Sequence, residues 1–336
     1  MTDPAPSPAH FFETVNSFHR SAAVKAAIEL SVFSTIGNEA KNTQAIAKDC
    51  NASERGIRIL CDFLVVHGLL TKQECFYRLT PDSAVFLDRN SPAYCGGAIE
   101  FMLSPTMING FNELTEAVRI GGQAASKEGV VEPDHPVWVR FARAMAPLMM
   151  MPAHLMAELV DQHPGQEIKV LDIAAGHGLF GIAFAQRNPK AKITALDWTP
   201  VLQVAQENAV NAGVRDRFKT LEGSAFDVNF GNGYDLVLLT NFLHHFDRST
   251  CEQLLKKVRA ALADGGRAIT LEFVPNEDRV SPPIPAAFSL IMLSNTPAGD
   301  AYTFGELERM FKEAGFSQSA LHPLPPTFQS VVISRK

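Results

Sequence analysis

The chain has few cysteines and no cysteine pair at metal or redox spacing. Its five cysteines, at positions 50, 61, 75, 95 and 251, never fall in a C-x-x-C pattern. An odd, scattered set argues against a disulfide framework and for reduced thiols in a cytoplasmic protein. No run of about eighteen apolar residues occurs, which argues against a spanning helix and a membrane partner. The opening Met1-Thr2-Asp3-Pro4 carries neither the basic nor the apolar region of a secretory leader. Excess positive charge is missing too. Thirty Lys and Arg stand against 36 Asp and Glu, and a formal net charge of −6 gives no footprint for nucleic acid. No ligand cluster of metal spacing appears, so no metal is expected. What remains is 46% apolar and 20% charged, an ordinary balance for a globular chain. A length of 336 residues suits two domains, or one large domain with an appendage.

The most informative stretch is Val170-Leu171-Asp172-Ile173-Ala174-Ala175-Gly176-His177-Gly178-Leu179-Phe180-Gly181. An apolar run ends at an acid and turns through a glycine-rich loop into a helix-forming segment. Twenty-five residues after Asp172, a second apolar run ends at Asp197, followed by Trp198. Strand, glycine turn, helix and a closing acid are the parts of a nucleoside site at the edge of a parallel sheet. The glycines let backbone and ligand approach closely, and the second acid can accept hydrogen bonds from ribose hydroxyls. The pattern is D-x-A-x-G-x-G rather than the dinucleotide G-x-G-x-x-G. An acid at the strand end would repel a pyrophosphate but could bind an amino group. A ligand with ribose, adenine and an aminoacyl tail fits, which is S-adenosylmethionine.

The rest of the chain supplies the setting. Phe11, Val15 and Phe18 recur at helical spacing, and Ala22 to Phe33 reads as a second helix. Residues 43–49 and 53–67 read as a helix-turn-helix pair with Ser53 as N-cap, and Leu69–Thr71 and Cys75–Leu79 as two strands of a wing. Residues 1–100 hold nine Lys and Arg against eleven Asp and Glu, which works against phosphate binding. A module that buries apolar helices against a second copy is the better reading than a DNA reader. A glycine- and proline-rich loop is expected around 121–136, and a methionine-rich helical region over 137–160. Strands are expected at 168–173, 191–197, 217–221, 234–240, 267–273 and 328–334. Helices are expected at 200–213, from a capping box starting at Ser249 to a stop at Asp264-Gly265-Gly266, and at 305–314. Strands alternating with helices argue for a parallel sheet covered on both faces.

Two further motifs fall at strand ends. Leu221-Glu222-Gly223-Ser224-Ala225-Phe226-Asp227 is a turn suited to adenine, with backbone groups and a flat apolar side chain. The run 234–240 leads into Asn241-Phe242-Leu243-His244-His245-Phe246, which sets imidazoles at the carboxyl end of a strand. A lone histidine at a helix start is more often a cap or a surface residue. Here it follows the nucleoside motifs in order. Glu272, 28 residues after His244, ends the apolar strand 268–274 and would cost several kcal/mol if buried unpaired. It is expected to face a partner or a cavity, with a solvated strand end as the alternative.

With these residues the chain resembles the class I S-adenosylmethionine-dependent O-methyltransferases with an N-terminal dimerising winged helix, the caffeate and hydroxyindole type. The resemblance runs from about residue 10 to 335. It implies an α/β fold with a Rossmann-like, mostly parallel seven-stranded sheet. The implied organisation is a winged-helix dimerisation domain over 1–104, a linking helical region over 105–160 and a donor-binding domain over 161–336. It implies His244 as general base and Glu272 as the residue that orients it. Donor contacts would come from Asp172, Ala174, Gly176, Gly178, Asp197, Trp198, Gly223, Ser224, Ala225, Phe226 and Asn241. Phe141, Met145, His245 and Met292 would line the acceptor site. The chain departs from the family pattern at Ala174, Ser224, Asn241 and His245, and at Ala301 where a second glutamate is common. The expected function is methyl transfer to a hydroxyl of a small aromatic or polyketide-like molecule by a homodimer. Transfer to carbon or nitrogen, a non-transferring relative, and a ligand-responsive winged-helix regulator are the alternatives.

Overall fold

In the computed structural model, which describes residues 6–124, 136–161 and 164–336, the chain divides into two units, Met1–Leu103 and Ser104–Lys336. The first unit runs through helices Ala9–Val15, Phe18–Glu29 and Val32–Ile36, then Thr43–Asp49 and Glu54–Val66. Its strands β1 (Lys41–Asn42), β2 (Leu70–Gln73) and β3 (Phe76–Leu79) pair antiparallel in the order β1-β3-β2. Side-chain caps set the helix starts. Asn42 Oδ1 accepts the Ala45 N–H at 2.9 Å and Ser53 Oγ accepts the Gly56 N–H at 3.0 Å. Phe33, Ile36, Ile46, Ile57, Leu64, Leu70 and Tyr77 close the core of this unit. The stripe expected to form one amphipathic helix is split at residues 16–17. Phe11, Val15 and Phe18 are 63%, 52% and 63% exposed, and Ala9–Val15 buries no residue.

The second unit is built on seven strands. These are β4 (Ile168–Ile173), β5 (Ala191–Asp197), β6 (Phe218–Glu222), β7 (Tyr234–Thr240), β8 (Leu262–Glu272), β9 (Gln318–Pro323) and β10 (Ser330–Arg335). Their order is β6-β5-β4-β7-β8-β10-β9, with β10 antiparallel to both its neighbours and the other pairings parallel. Strand parity explains the continuous apolar runs, since both faces are covered. Val170, Ile193, Leu238 and Ile269 face Phe180 and Phe184 of helix Leu179–Arg187, Leu202 of helix Thr199–Asn211, and Met156 of helix Pro136–Val160. Leu171, Ile173, Val237 and Leu239 face Leu254 and Val258 of helix Arg248–Ala261, and Leu307 and Phe311 of helix Phe304–Glu313. From β4 the chain winds one way to β5 and β6 and the other way to β7 and β8. The carboxyl ends of these strands therefore meet at a topological switch point, where open α/β sheets bind ligands.

Several expected boundaries move. The helix before β8 is capped by Asp247, whose Oδ1 accepts the Thr250 N–H at 2.9 Å, and not by Ser249. Asp264-Gly265-Gly266 lie within β8 rather than stopping that helix, because the chain turns straight into the sheet at Leu262. A true capping box stands at Thr303 and Glu306. Strand β9 was not among the expected strands; its half-buried alternation with Ser319, His322 and Pro323 hides it. The loop expected at 121–136 falls mostly outside the described residues. The helix over 136–160 buries Ala153, Met156, Ala157 and Val160 in the main core of the second unit.

Gly178 precedes helix Leu179–Arg187 with φ +73°, and an added Cβ would lie 2.9 Å from Ala205 Cβ and 3.2 Å from Phe218 Cζ. Gly265 has a similar φ of +77° but open space around it. Gly178→Ala should lower the unfolding free energy by about 2–5 kcal/mol, joining left-handed strain to overpacking. Gly265→Ala should cost only the strain, about 1–2 kcal/mol. Urea denaturation of both variants checks the difference; equal losses would mean that packing around Gly178 contributes nothing.

Candidate active site

The glycine loop joins β4 to the helix that follows it. Asp172, fully buried, accepts the Gly181 N–H on Oδ2 at 3.0 Å, while its Oδ1 has no hydrogen-bond partner. Gly181 leaves room for this tie, since a Cβ there would stand 3.0 Å from the same Oδ2 and 2.7 Å from Ile193 Cγ2. Asp172 was expected to face a ligand. Its side chain is fully buried, and the hydrogen bond it accepts comes from the helix start. Ala174, Gly176 and Gly178 all have left-handed φ, at +52°, +56° and +73°. Ala174 is not glycine, yet it holds a conformation that costs an L-residue about 1–2 kcal/mol.

Asp197, at the end of β5, fastens this loop. Its Oδ2 accepts the Gly176 N–H at 2.8 Å and its Oδ1 the Trp198 N–H at 2.7 Å. The two acids, distant in sequence, come together because β4 and β5 are adjacent parallel strands in register. Burial raises the pKa of Asp172 to about 7, against the lowering effect of the Gly181 N–H, with the charge of Asp197 adding to the rise. Burial likewise raises Asp197 to about 6 against two backbone donors. The Trp198 ring packs with Trp138, Ala142 and Val201. After β6, Gly223 at φ +126° donates to Asp197 O at 3.1 Å, and Ser224 Oγ accepts the Phe226 N–H at 3.1 Å. The Phe226 ring sits 5.0 Å from Phe246 and 6.5 Å from Phe242. Ala225 is buried beside them.

The histidines lie in a short turn, Leu243–His245, after β7. Glu272 ends the neighbouring strand β8, and both residues are buried. Glu272 Oε1 accepts the N–H groups of Phe242 at 3.0 Å and Leu243 at 2.9 Å, and its Oε2 is 2.5 Å from His244 Nδ1. With Nδ1 donating to the carboxylate, Nε2 is left as the accepting nitrogen of the ring. The buried carboxylate thus has the partners its position demanded. His245 lies 4.4 Å from His244 between ring centres and meets Trp138 edge-on at 5.7 Å. Burial and then the neighbouring His244 hold its pKa well below the usual histidine value, so it is neutral near pH 7.

Aromatic contacts connect the expected acceptor residues. Phe141 meets Trp138 at 5.7 Å, and His244 meets the edge of Phe288 at 4.9 Å. Phe288 stacks on Phe273 at 4.3 Å, one turn from the buried Met292 on helix Pro283–Asn295. Met145 is half-buried on the helix that carries Phe141. Asn241, at φ +54°, donates from Nδ2 to Met149 Sδ at 3.6 Å and accepts from Gln329 Nε2. Trp138, Phe288 and Gln329 were not singled out from the sequence. The first two read as ordinary apolar positions, and Gln329 reaches Asn241 only through the antiparallel return of β10. Ala301 is buried and supplies no carboxylate. Among the described residues, no group of three His, Cys, Asp or Glu could hold a metal ion, and no helix is long and apolar enough to cross a membrane.

Residues 112–317 match the O-methyltransferase domain family, and residues 12–89 match the O-methyltransferase dimerisation domain. The chain belongs to the O-methyltransferase family. This methyltransferase is 27% identical over 305 residues to 3-hydroxy-5-methyl-1-naphthoate 3-O-methyltransferase of Streptomyces sahachiroi, covering 89% of this chain and 86% of that one. A solved structure from Nostoc punctiforme, classed by inference as an O-methyltransferase, is 58% identical with a TM-score of 0.96, covering 99% of this chain and all of its own. The complex of human N-acetylserotonin methyltransferase with S-adenosylmethionine shares the fold at a TM-score of 0.86 and 23% identity, with coverage of 100% and 99%.

The two acids, Asp172 buried and Asp197 half-buried, make the stability of the methyltransferase depend on pH. Their folded pKa values, about 7 and about 6, lie above the ordinary 3.8. The folded protein therefore binds these protons more tightly than the unfolded chain. The associated stability is full below about pH 4 and is lost as pH rises through 6 and 7. Asp172→Asn removes the larger shift, so its unfolding free energy should fall less steeply between pH 4 and 7.5 than that of the wild type. Chemical denaturation across that range checks it, and identical slopes would mean that Asp172 ionises without hindrance.

Proposed function

We propose that this methyltransferase moves the methyl group of S-adenosylmethionine to a hydroxyl on a small aromatic or polyketide-like acceptor, with His244 as general base. The observation that carries the reading is the Glu272–His244 pair beside the glycine loop, on a floor of aromatic side chains. Similarity to an enzyme named for a naphthoate 3-hydroxyl supports a flat, oxygenated acceptor. The flat walls supplied by Trp138, Phe141 and Phe288 suit such a ring.

The donor would lie along the loop 174–178, with its ribose toward Asp197 and its adenine against the turn 223–226. Its net positive charge suits a site bordered by the Asp197 carboxylate at the end of β5. At the reacting end, the acceptor hydroxyl gives its proton to His244 Nε2 as its oxygen attacks the methyl carbon. The new O–C bond forms as the C–S bond breaks, and the bonding pair leaves with sulfur as S-adenosylhomocysteine. Glu272 keeps the ring in the tautomer that accepts this proton and stabilises its charged form afterwards. His245, held neutral by a pKa well below the usual histidine value, is suited to lining the acceptor site. Met145 and Met292 fill the apolar wall as adaptable side chains. No step calls for a metal.

A labelled-donor transfer screen over phenols and polyketides, with mass analysis of the product, tests the reaction; labelled carbon or nitrogen methyl products would replace the oxygen reading. With any acceptor found, His244→Ala should lower turnover by about 10²-fold or more, the typical contribution of a general base. Donor affinity should change little. Glu272→Gln should lose less, and the double variant less than the product of the two. A greater loss from His245→Ala than from His244→Ala would reverse the assignment.

The first unit, with its helix pair followed by the β2–β3 hairpin, is read as a winged helix used for self-association in a homodimer. Phe11, Phe12 and Phe18, at 63%, 56% and 63% exposed, supply an apolar face that a single chain leaves in water. Unpaired cysteines at all five positions support a reducing, cytoplasmic setting. Light scattering at micromolar concentration should give twice the chain mass, and a folded monomer would overturn the dimer.

A further inference from the structure

The turn after β6 is held by a side chain from another element. Lys257 lies on helix Arg248–Ala261, three residues after the buried Leu254 and four before the buried Ala261. It thus stands on the apolar stripe of an amphipathic helix, where an ammonium needs a polar destination. The destination is the turn. Lys257 Nζ donates to the carbonyl oxygens of Ala225 at 2.9 Å, Phe226 at 2.5 Å and Val228 at 3.2 Å, and stands 4.6 Å from the centre of the Phe230 ring. A lysine has three N–H groups, and three carbonyls meet them. On the turn's other polar edge, the N–H groups of Phe226, Asp227 and Val228 fold onto Ser224.

We propose that Lys257 is a positioning residue for the donor's adenine, acting through the turn 223–228. Three carbonyl dipoles aimed at one point repel each other unless a cation stands there. With the ammonium in place, the turn carries the Phe226 ring to its station beside Phe242 and Phe246. Ser224 contributes a neutral oxygen to the turn, and the ammonium of Lys257 meets the backbone from the opposite side. Burial lowers the pKa of Lys257 from its ordinary value, while Asp227 works to raise it. The hold is therefore weakened in alkaline solution. Lys257 is remote from the methyl group, so its contribution belongs to donor binding and not to the chemical step. This inference rests on residues 223–226 being the adenine turn.

The test is calorimetric titration of the full-length protein with S-adenosylhomocysteine, together with steady-state kinetics on any accepted phenol. Lys257→Met should weaken binding by about tenfold to a hundredfold, the range for losing hydrogen bonds to a charged group. Its donor KM should rise by the same factor, with kcat at saturating donor unchanged. Lys257→Arg should recover part of the affinity. Wild-type affinity should fall in alkaline solution as the ammonium deprotonates, and Lys257→Arg should lack that fall because a guanidinium stays charged. A folded Lys257→Met protein with wild-type affinity, or one that loses only kcat, overturns the proposal. If Lys257→Met does not fold, the alkaline comparison decides, and the same fall in wild type and Lys257→Arg overturns it. A wild-type protein that binds no S-adenosylhomocysteine refutes the donor reading itself, and this inference with it.

Discussion

The carboxylate of Glu272 is the interaction on which the carboxyl ends of β7 and β8 depend. One oxygen takes the N–H groups of Phe242 and Leu243, and the other takes His244 Nδ1. Two strand ends and a ring are thereby fixed by one buried group. Losing the acceptor would leave buried donors unpaired, at about 1–3 kcal/mol each. Backbone packing reinforces the arrangement from the other side: a Cβ on Gly299 would fall 2.2 Å from the carbonyl oxygen of His244. The turn that carries both histidines is clamped between a carboxylate and a glycine, so the His244 ring is held in one orientation.

The donor side repeats this logic with different acids. Asp197 binds the amides of Gly176 and Trp198, and its own carbonyl accepts from Gly223, so one residue ties the glycine loop to the turn after β6. Asp172 ties the following helix through Gly181. Backbone strain gathers at the same edge. Ala174 and Asn241 both adopt left-handed φ without being glycine, directly after β4 and β7. Such conformations persist where the surroundings over-determine them, and here those surroundings are the ends of two central parallel strands.

Much of this was legible in the sequence because parallel strands buried on both faces read as unbroken apolar runs, each ending in a chemically distinctive residue. Asp172, Asp197, Asn241 and Glu272 mark the ends of β4, β5, β7 and β8. The edge strand β9 escaped notice because it is half-exposed and interrupted by polar residues. The start of helix Arg248–Ala261 was misplaced because Ser249 and Asp247 are both competent caps, and only the observed bond to Thr250 distinguishes them. Asp264-Gly265-Gly266 looked like a helix stop, yet glycines of that kind are also tolerated in a strand whose packing is supplied by its neighbours.

The sequence by itself determined the kinds of chemistry available: an acid-and-glycine nucleoside loop, a histidine pair, a carboxylate 28 residues downstream, and a charge balance unsuited to nucleic acid. The loop, the histidine pair and the carboxylate are local properties, carried by residue type and spacing; the net charge of −6 is only a sum over the chain. Only the tertiary structure decided which of these groups meet one another and which are enclosed. It enclosed Asp172 and put Asp197 between two loops. It paired Glu272 with His244 and left His245 neutral against Trp138, and it sent Lys257 from the face of a distant helix into the turn at Ala225. Those outcomes depend on strand order and on which atoms lose water, and both are set by contacts between segments far apart in the chain.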